Sequence, residues 1–192
     1  GYFSQVTIGC VNFSSYEVIE EFSNTDIALI QSNDILQYDK KPKAFIWGSK
    51  ELLIFDNVRA MGYPHGYDSF EGFSIGRGFT GTVLCRTPFK RNEFDTNCYE
   101  LSFQATRGLS GGVLLDENYR IHGLIIGNNQ KSLNVFHDEV TIKDETGKYK
   151  MIEERNETTF IGLAVSKEFI FQLYSTSLGK TFHQYLIESQ LH

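Results

Sequence analysis

Gly108-Leu109-Ser110-Gly111-Gly112 runs directly into Val113-Leu114-Leu115. The pattern is a tight, glycine-built turn feeding a short apolar strand. Taken alone it has two readings. Glycine supplies backbone angles that other residues avoid, so the serine can simply be a small polar residue at a bend. Alternatively, a serine nucleophile needs backbone N–H groups turned toward the point its hydroxyl faces. Flanking glycines let the chain make that turn and let a substrate come close.

On either side of this turn, short apolar runs dominate. Val6 to Ile8, Tyr16 to Phe22, Ile27 to Ile30, Leu52 to Phe55, Val58 to Met61 and Gly81 to Cys85 precede it, followed by Tyr99 to Phe103. After it come Ile121 to Ile126 and Phe160 to Val165. Many of these alternate or are β-branched and aromatic, at spacings of roughly ten to twenty residues, which predicts an all-β sandwich or barrel. Ser32-Asn33-Asp34, Asp116-Glu117-Asn118 and Asp144-Glu145-Thr146-Gly147 punctuate them as turns. Asp138 to Thr159 is the most polar stretch and reads as a solvated loop or a long hairpin. Only the tail changes rhythm. Behind a Ser166 N-cap, Phe169, Ile170, Leu173 and Tyr174 recur at helical spacing, and a second helical stretch is expected from Thr181 to Gln190. Both apolar stripes are expected to face the core.

Composition narrows the function. The chain has 192 residues, 41% of them hydrophobic and 14% aromatic, enough to build a core and too apolar for a disordered chain. Its net charge is −6 with no basic stripe, so a nucleic-acid footprint is not expected. The longest apolar runs are too short to span a bilayer. Cys10, Cys85 and Cys98 form no paired CxxC motif, so neither a structural zinc site nor a disulfide scaffold is indicated. No nucleotide loop or cofactor signature occurs: Gly72, Gly76, Gly78 and Gly81 lack the spacing of one and read as a flexible β-loop. The odd, low cysteine count and the lack of a visible signal peptide favour a reducing, cytoplasmic setting.

Four further stretches weigh on the serine turn. Asn24-Thr25-Asp26-Ile27-Ala28-Leu29 puts an acid directly before a strand, which alone reads as a surface carboxylate. Gly62-Tyr63-Pro64 ends another strand. Gly123-Leu124-Ile125-Ile126-Gly127-Asn128 is a strand ending in glycine shortly after the serine, and Phe160 to Val165 is a later one with Gly162 inside it. In this order the sequence resembles the chymotrypsin-like serine peptidases, most closely the cysteine-poor bacterial HtrA-type branch. The resemblance covers the chain to about residue 175. It implies a fold of two six-stranded barrels and a peptide or protein substrate, with no cofactor or metal. Ser110 then corresponds to the nucleophile and Asp26 to the acid that orients the catalytic histidine. The backbone amides of Gly108 and Ser110 correspond to the oxyanion hole. Gln104 falls at the base of the primary specificity pocket, with Ile126, Gly127 and Asn128 along one wall. A neutral Gln104 gives no reason to expect cleavage after Lys or Arg.

One departure matters. The family's order is His, then Asp, then Ser, yet no histidine precedes His65 here. Without a base the serine hydroxyl is a poor nucleophile. His65 sits in the Gly62 to Gly66 turn, on the oxyanion side, and reads as a turn residue. His122 reads as a satisfied histidine within a sheet; His137, His183 and His192 lie in polar or terminal segments. Too few strands precede Asp26 to close a first barrel, and the chain opens on Gly1, so the natural protein is expected to extend upstream and to carry the base there.

The resemblance implies a peptidase unit over residues 1–175. Within it, about 1–57 would be the remainder of a first barrel truncated at its N-terminus. About 58–165 would form a second barrel and 166–175 a closing helix. Residues 176–192 would be a C-terminal helical extension. Three functions follow. The first is a serine endopeptidase working through an acyl-enzyme on Ser110. The second is an inactive pseudo-peptidase that binds peptides by strand addition near Asn128. The third is an unrelated β-barrel binding protein in which the Gly-Ser turn is coincidence.

Overall fold

The structure is a computed structural model, and it describes residues 6–8, 11–13, 17–22, 25–31, 46–63, 67–68, 73–74, 76–91, 94–144 and 147–189. In chain order the strands begin with β1 (Val6–Ile8), β2 (Val11–Phe13), β3 (Glu17–Phe22) and β4 (Ile27–Gln31). β5 (Asn57–Gly62), β6 (Tyr67–Asp68), β7 (Phe73–Ser74), β8 (Arg77–Arg91) and β9 (Phe94–Leu101) follow. β10 (Val113–Leu115), β11 (Ile121–Asp144) and β12 (Gly147–Ser166) lead into α1 (Lys167–Gln172). β13 (Tyr174–Ser175), β14 (Lys180–Thr181) and α2 (Phe182–Ser189) end the chain. Among the described residues no helix is long and apolar enough to cross a membrane.

Six strands close a barrel in the order β10-β11-β12-β9-β8-β5, with β5 returning to β10. Every pairing is antiparallel. Closure removes the sheet edges that would otherwise invite aggregation. Val58, Ala60, Val83, Tyr99, Leu101, Leu114, Ile125 and Ala164 form one buried cluster. The alternate residues Cys98, Leu163 and Val165 join Ile170 in a second cluster, packed against Ile27, Trp47, Phe169 and Phe182. A two-residue side-chain period therefore serves two cores, one on each face of the same strands. That explains the near-continuous apolar runs at 98–101 and 163–165.

The long polar stretch is a hairpin. β11 and β12 stay paired from Gly123↔Ser166 out to Asp144↔Gly147, whereas β12 meets β9 only over Gly162–Val165. The remaining length is a two-stranded ribbon beyond the barrel. The tail begins as its sequence suggests: Ser166 Oγ accepts from Phe169 N at 3.3 Å and caps α1.

Among the described residues before Trp47 the chain forms two separate antiparallel pairs, β1–β2 and β3–β4. One expectation needs correction. Leu52–Phe55 is not a strand. Asp56 Oδ2 accepts from Leu53 N at 2.7 Å, Asp56 N donates to Leu53 O at 3.1 Å, and Phe55 has a left-handed φ of 73°. A side-chain acceptor three residues on converts an apolar run into a turn.

The β3–β4 hairpin is tied to the tail by one carboxylate. Glu20 accepts from Ser175 Oγ, from Thr176 N at 3.0 Å, from Thr176 Oγ1 at 2.8 Å and from Ser177 N at 3.3 Å. The Ser175 hydroxyl and then the Thr176 amide lower its pKa from 4.5 to about 2. A carboxylate depressed by folding contributes stability above its unfolded pKa and loses it as pH falls toward the folded value. Glu20→Gln is therefore expected to flatten the acid side of the stability profile between pH 4.5 and about 2, read from urea midpoints. An unchanged acid limb would remove Glu20 from that role.

Candidate functional site

The serine turn is built from its glycines and from one buried leucine. Leu109 is fully buried in the barrel core, and it anchors the turn from below. Leu109 N donates to Thr106 O at 3.0 Å and Gly112 N to Leu109 O at 2.9 Å. Gly111 N donates to Ile125 O and Ile125 N to Gly112 O, both at 2.8 Å, so the turn is stitched to β11. Gly108 and Gly111 have φ of 91° and 82°, where a side chain would be strained. At Gly112 space is the limit: a Cβ would lie 2.7 Å from Leu109 O and closer still to Met61 O.

This leaves Ser110 exposed at the crest, its hydroxyl donating to Ile126 O at 3.3 Å. The amides of Leu109, Gly111 and Gly112 are all used. Those of Gly108 and Ser110 donate to no described residue. Two donors without a partner among the described residues, beside an exposed hydroxyl, are what stabilisation of a developing oxyanion requires.

Ile126 accepts the hydroxyl because of a bulge. The β11–β12 ladder steps from Ile125↔Ala164 to Gly127↔Leu163, leaving Ile126 unpaired, and Gly127 takes a φ of 143°. Asn128, expected along a specificity wall, uses its side chain in two hydrogen bonds. Its Oδ1 accepts from Ala105 N and its Nδ2 donates to Ala105 O, each at 2.7 Å. The side chain works as an extra peptide group that fixes the irregular segment leading from β9 to the serine. Gln104, next to that anchor, is exposed and has no hydrogen bond among the described residues.

Asp26 occupies the turn between β3 and β4. Thr25 shapes that turn: its hydroxyl donates to Phe22 O at 2.8 Å and accepts from Ile27 N at 3.3 Å. Asp26 has a left-handed φ of 56°, a conformation Asp tolerates better than most residues. Its carboxylate is exposed, and no hydrogen bond or ion pair joins it to Ser110, to a histidine or to any other described residue. Ser110, Gly108 and Ile126 are thus assembled in one place, Asn128 lies two residues on from Ile126 in β11, Gln104 lies in the segment between β9 and the serine turn, and Asp26 is not bonded to them.

Neither histidine whose side chain is described contacts the serine. His122 is buried on β11, with Nε2 3.2 Å from Asp116 Oδ2 and Nδ1 without a partner among the described residues. It is therefore only half satisfied, a departure from the expected satisfied histidine. Burial, with a push from Lys167, lowers its pKa against the pull of Asp116. Burial also penalises the charged Asp116, but hydrogen bonds from Arg120 N, His122 and Asn118 N outweigh it and lower the pKa overall. Gly48 lies directly on the imidazole, where a Cβ would overlap the ring. His183 stacks on Phe171 at 5.1 Å. His65 and His192, and the side chain of His137, lie outside the described residues.

Sequence reading missed two buried polar centres. Lys167 is buried at the start of α1, where its ammonium donates to Gly48 O at 2.6 Å and to Lys50 O, and pairs with Glu168 at 3.3 Å. Glu100, also buried, meets Cys85 at 3.2 Å, Asn129 at 3.3 Å and Lys131 at 3.0 Å. Charges inside an apolar run were the available signal, since buried charges survive only when paired. Among the described residues, no group of three or more His, Cys, Asp or Glu side chains is placed to hold a metal.

No protein-family model matches the chain, and no curated protein matches it. Solved structures do. The Rv3671c protease of M. tuberculosis in its active form superposes with a TM-score of 0.59 at 14% identity, covering 86% of this chain and 59% of that one. Its inactive form gives 0.56 at 14% identity over 86% and 67%, and an inactive serine-to-alanine mutant gives 0.56 at 15% over 86% and 65%. This chain thus spans about three-fifths to two-thirds of the length of those neighbours. What it shares with them is the β-rich, chymotrypsin-like protease fold.

Proposed function

We propose that this chain is a serine endopeptidase of HtrA-like, trypsin-like type, acting on peptide or protein substrates. Ser110 is its nucleophile, the amides of Gly108 and Ser110 form its oxyanion hole, and Asp26 is the acid that orients a histidine base. The observation that carries the reading is the pair of amides, without a partner among the described residues, beside the exposed Ser110 hydroxyl. In this reading residues 1–175 form the peptidase unit, with β3–β4 belonging to a first barrel. Residues 176–192 are its C-terminal extension. The cytoplasm is the proposed setting. Chemically, the histidine takes the proton from Ser110 Oγ as the hydroxyl attacks the peptide carbonyl, and the carbonyl oxygen becomes an anion facing the two amides. The base then gives its proton to the leaving amine, an acyl-serine remains, and water hydrolyses it by the same route reversed.

The second reading is a pseudo-peptidase that holds extended peptides without cleaving them. It is favoured by the hydroxyl's bond to Ile126 O, a backbone acceptor and not an imidazole. A fluorophosphonate probe on protein isolated from its own cell separates the two, because the probe traps only an activated serine. Stoichiometric labelling at Ser110, lost in Ser110→Ala, is expected for the peptidase. A protein that binds peptides yet takes no label is the pseudo-peptidase.

A further inference from the structure

His122 is a titratable ring held at an irregular point of the barrel. It is buried, and the β10–β11 ladder steps from Leu114↔Gly123 to Leu115↔Ile121, so His122 is left without a partner on β10. The Asp116 carboxylate, 3.2 Å from Nε2, only accepts, so the ring's one proton sits on Nε2. Nδ1 is then a bare acceptor, buried and without a partner among the described residues. A proton arriving there would become a buried donor with nothing to receive it, which is costly.

Residues 46–50 close over that ring as a strap. Gly48 N donates to Ile121 O at 2.8 Å and Ile121 N to Ile46 O at 2.9 Å, while Trp47 and Ile121 form a parallel bridge. Lys167 fastens the strap from α1, its ammonium donating to Gly48 O at 2.6 Å and to Lys50 O. Gly48 presses on the imidazole so closely that a Cβ there would overlap the ring. The charged groups acting on the ring are Asp116 from the β10–β11 turn, and Lys167 and Glu168 from α1. Trp47 packs on Phe171 at 5.0 Å, and His183 of α2 stacks on that same phenylalanine.

We propose that His122 is an acid-sensitive latch: protonation of Nδ1 frees residues 46–50 from Ile121 and Lys167 while the barrel stays closed. The new N–H has no acceptor among the described residues, and the new charge opposes the ammonium that fastens the strap. Lifting the strap gives both to water. Burial, and then Lys167, outweigh the pull of Asp116 and Glu168 and hold the pKa of the closed ring below its ordinary 6.5. A base whose charge is disfavoured by folding leaves the closed form intact above that value and weakens it as pH falls further. The latch does not depend on what Ser110 does.

Amide hydrogen exchange of the full chain between about pH 8 and about pH 5 tests this. After correction for intrinsic rates, protection at Gly48 N and Ile121 N is expected to be level above pH 6.5. Below it protection should fall, approaching about tenfold per pH unit, because opening takes up one proton. The amides of Gly111 and Ile125, which join the serine turn to β11, should stay level. In His122→Gln, which can still donate to Asp116 but gains no proton, the strap should be level throughout. His183→Gln should keep the wild-type fall. If His122→Gln does not fold, the wild-type ring decides, since its NMR titration should give a midpoint below 6.5. Level wild-type protection overturns the latch, as does a barrel that loses protection in step. So does a fall that persists in His122→Gln or vanishes in His183→Gln, or a midpoint at or above 6.5.

Discussion

Ser110→Ala is expected to lower kcat for a peptide ester by a factor on the order of 10⁶ while leaving KM nearly unchanged. The hydroxyl does its work only as it attacks, so its loss falls on the transition state and not on ground-state binding. Ser110 is exposed and the one bond of its hydroxyl among the described residues, to Ile126 O, is long at 3.3 Å, so stability should move by no more than about 0.5 kcal/mol. The assay belongs on protein taken from its own cell, with intact mass measured alongside, so that the source of the base is known. A fall of less than about tenfold would take the nucleophile's role away from Ser110. Peptide affinity of the Ser110→Ala variant carries a separate message. It should match the wild type, because Gly108, Gln104 and the Ile126–Asn128 strand remain in place.

The second large effect is expected one residue earlier. Leu109→Ala removes a fully buried side chain from the barrel core and should cost about 2–5 kcal/mol, depending on how far the cavity collapses. The site should suffer as well. Leu109 holds the turn at the depth where Gly111 and Gly112 reach β11, and a displacement of about 1 Å near reacting atoms is worth about 10²-fold in rate. Urea denaturation gives the first number and the rate of serine acylation the second. Leu109→Met, which keeps the volume, should lose under about 1.5 kcal/mol and most of its reactivity should survive. If both variants lose stability but acylate at the wild-type rate, the leucine supports the barrel alone.

The serine turn was legible in the sequence because its geometry is local. Glycines at 108, 111 and 112 announce positive φ or close approach whatever packs around them, and the strands at 113–115, 121–126 and 160–165 announce themselves by period. What stayed hidden depends on partners far away in the chain. Nothing local marks the pairing of Asn128 with Ala105, 23 residues earlier. Glu20 reaches residues 175–177 across more than 150 positions. Leu52–Phe55 misled for a different reason. Apolarity marks a strand only when the residue is buried, and here Asp56 turns the run outward. A first barrel was expected only in truncated form, and the described residues before Trp47 form two separate antiparallel pairs. The bulge at Ile126 has no signature in composition or periodicity.

That bulge has a consequence for how the chain tolerates loss. Because Ile125 and Gly127 face the consecutive residues Ala164 and Leu163, deleting Ile126 leaves a continuous, uninterrupted ladder on both sides. The shortened barrel would be the more regular one. What the deletion takes away is a carbonyl oxygen, the one that receives the Ser110 hydroxyl. Irregularity here is an added residue whose carbonyl meets the Ser110 hydroxyl while the ladder passes it by.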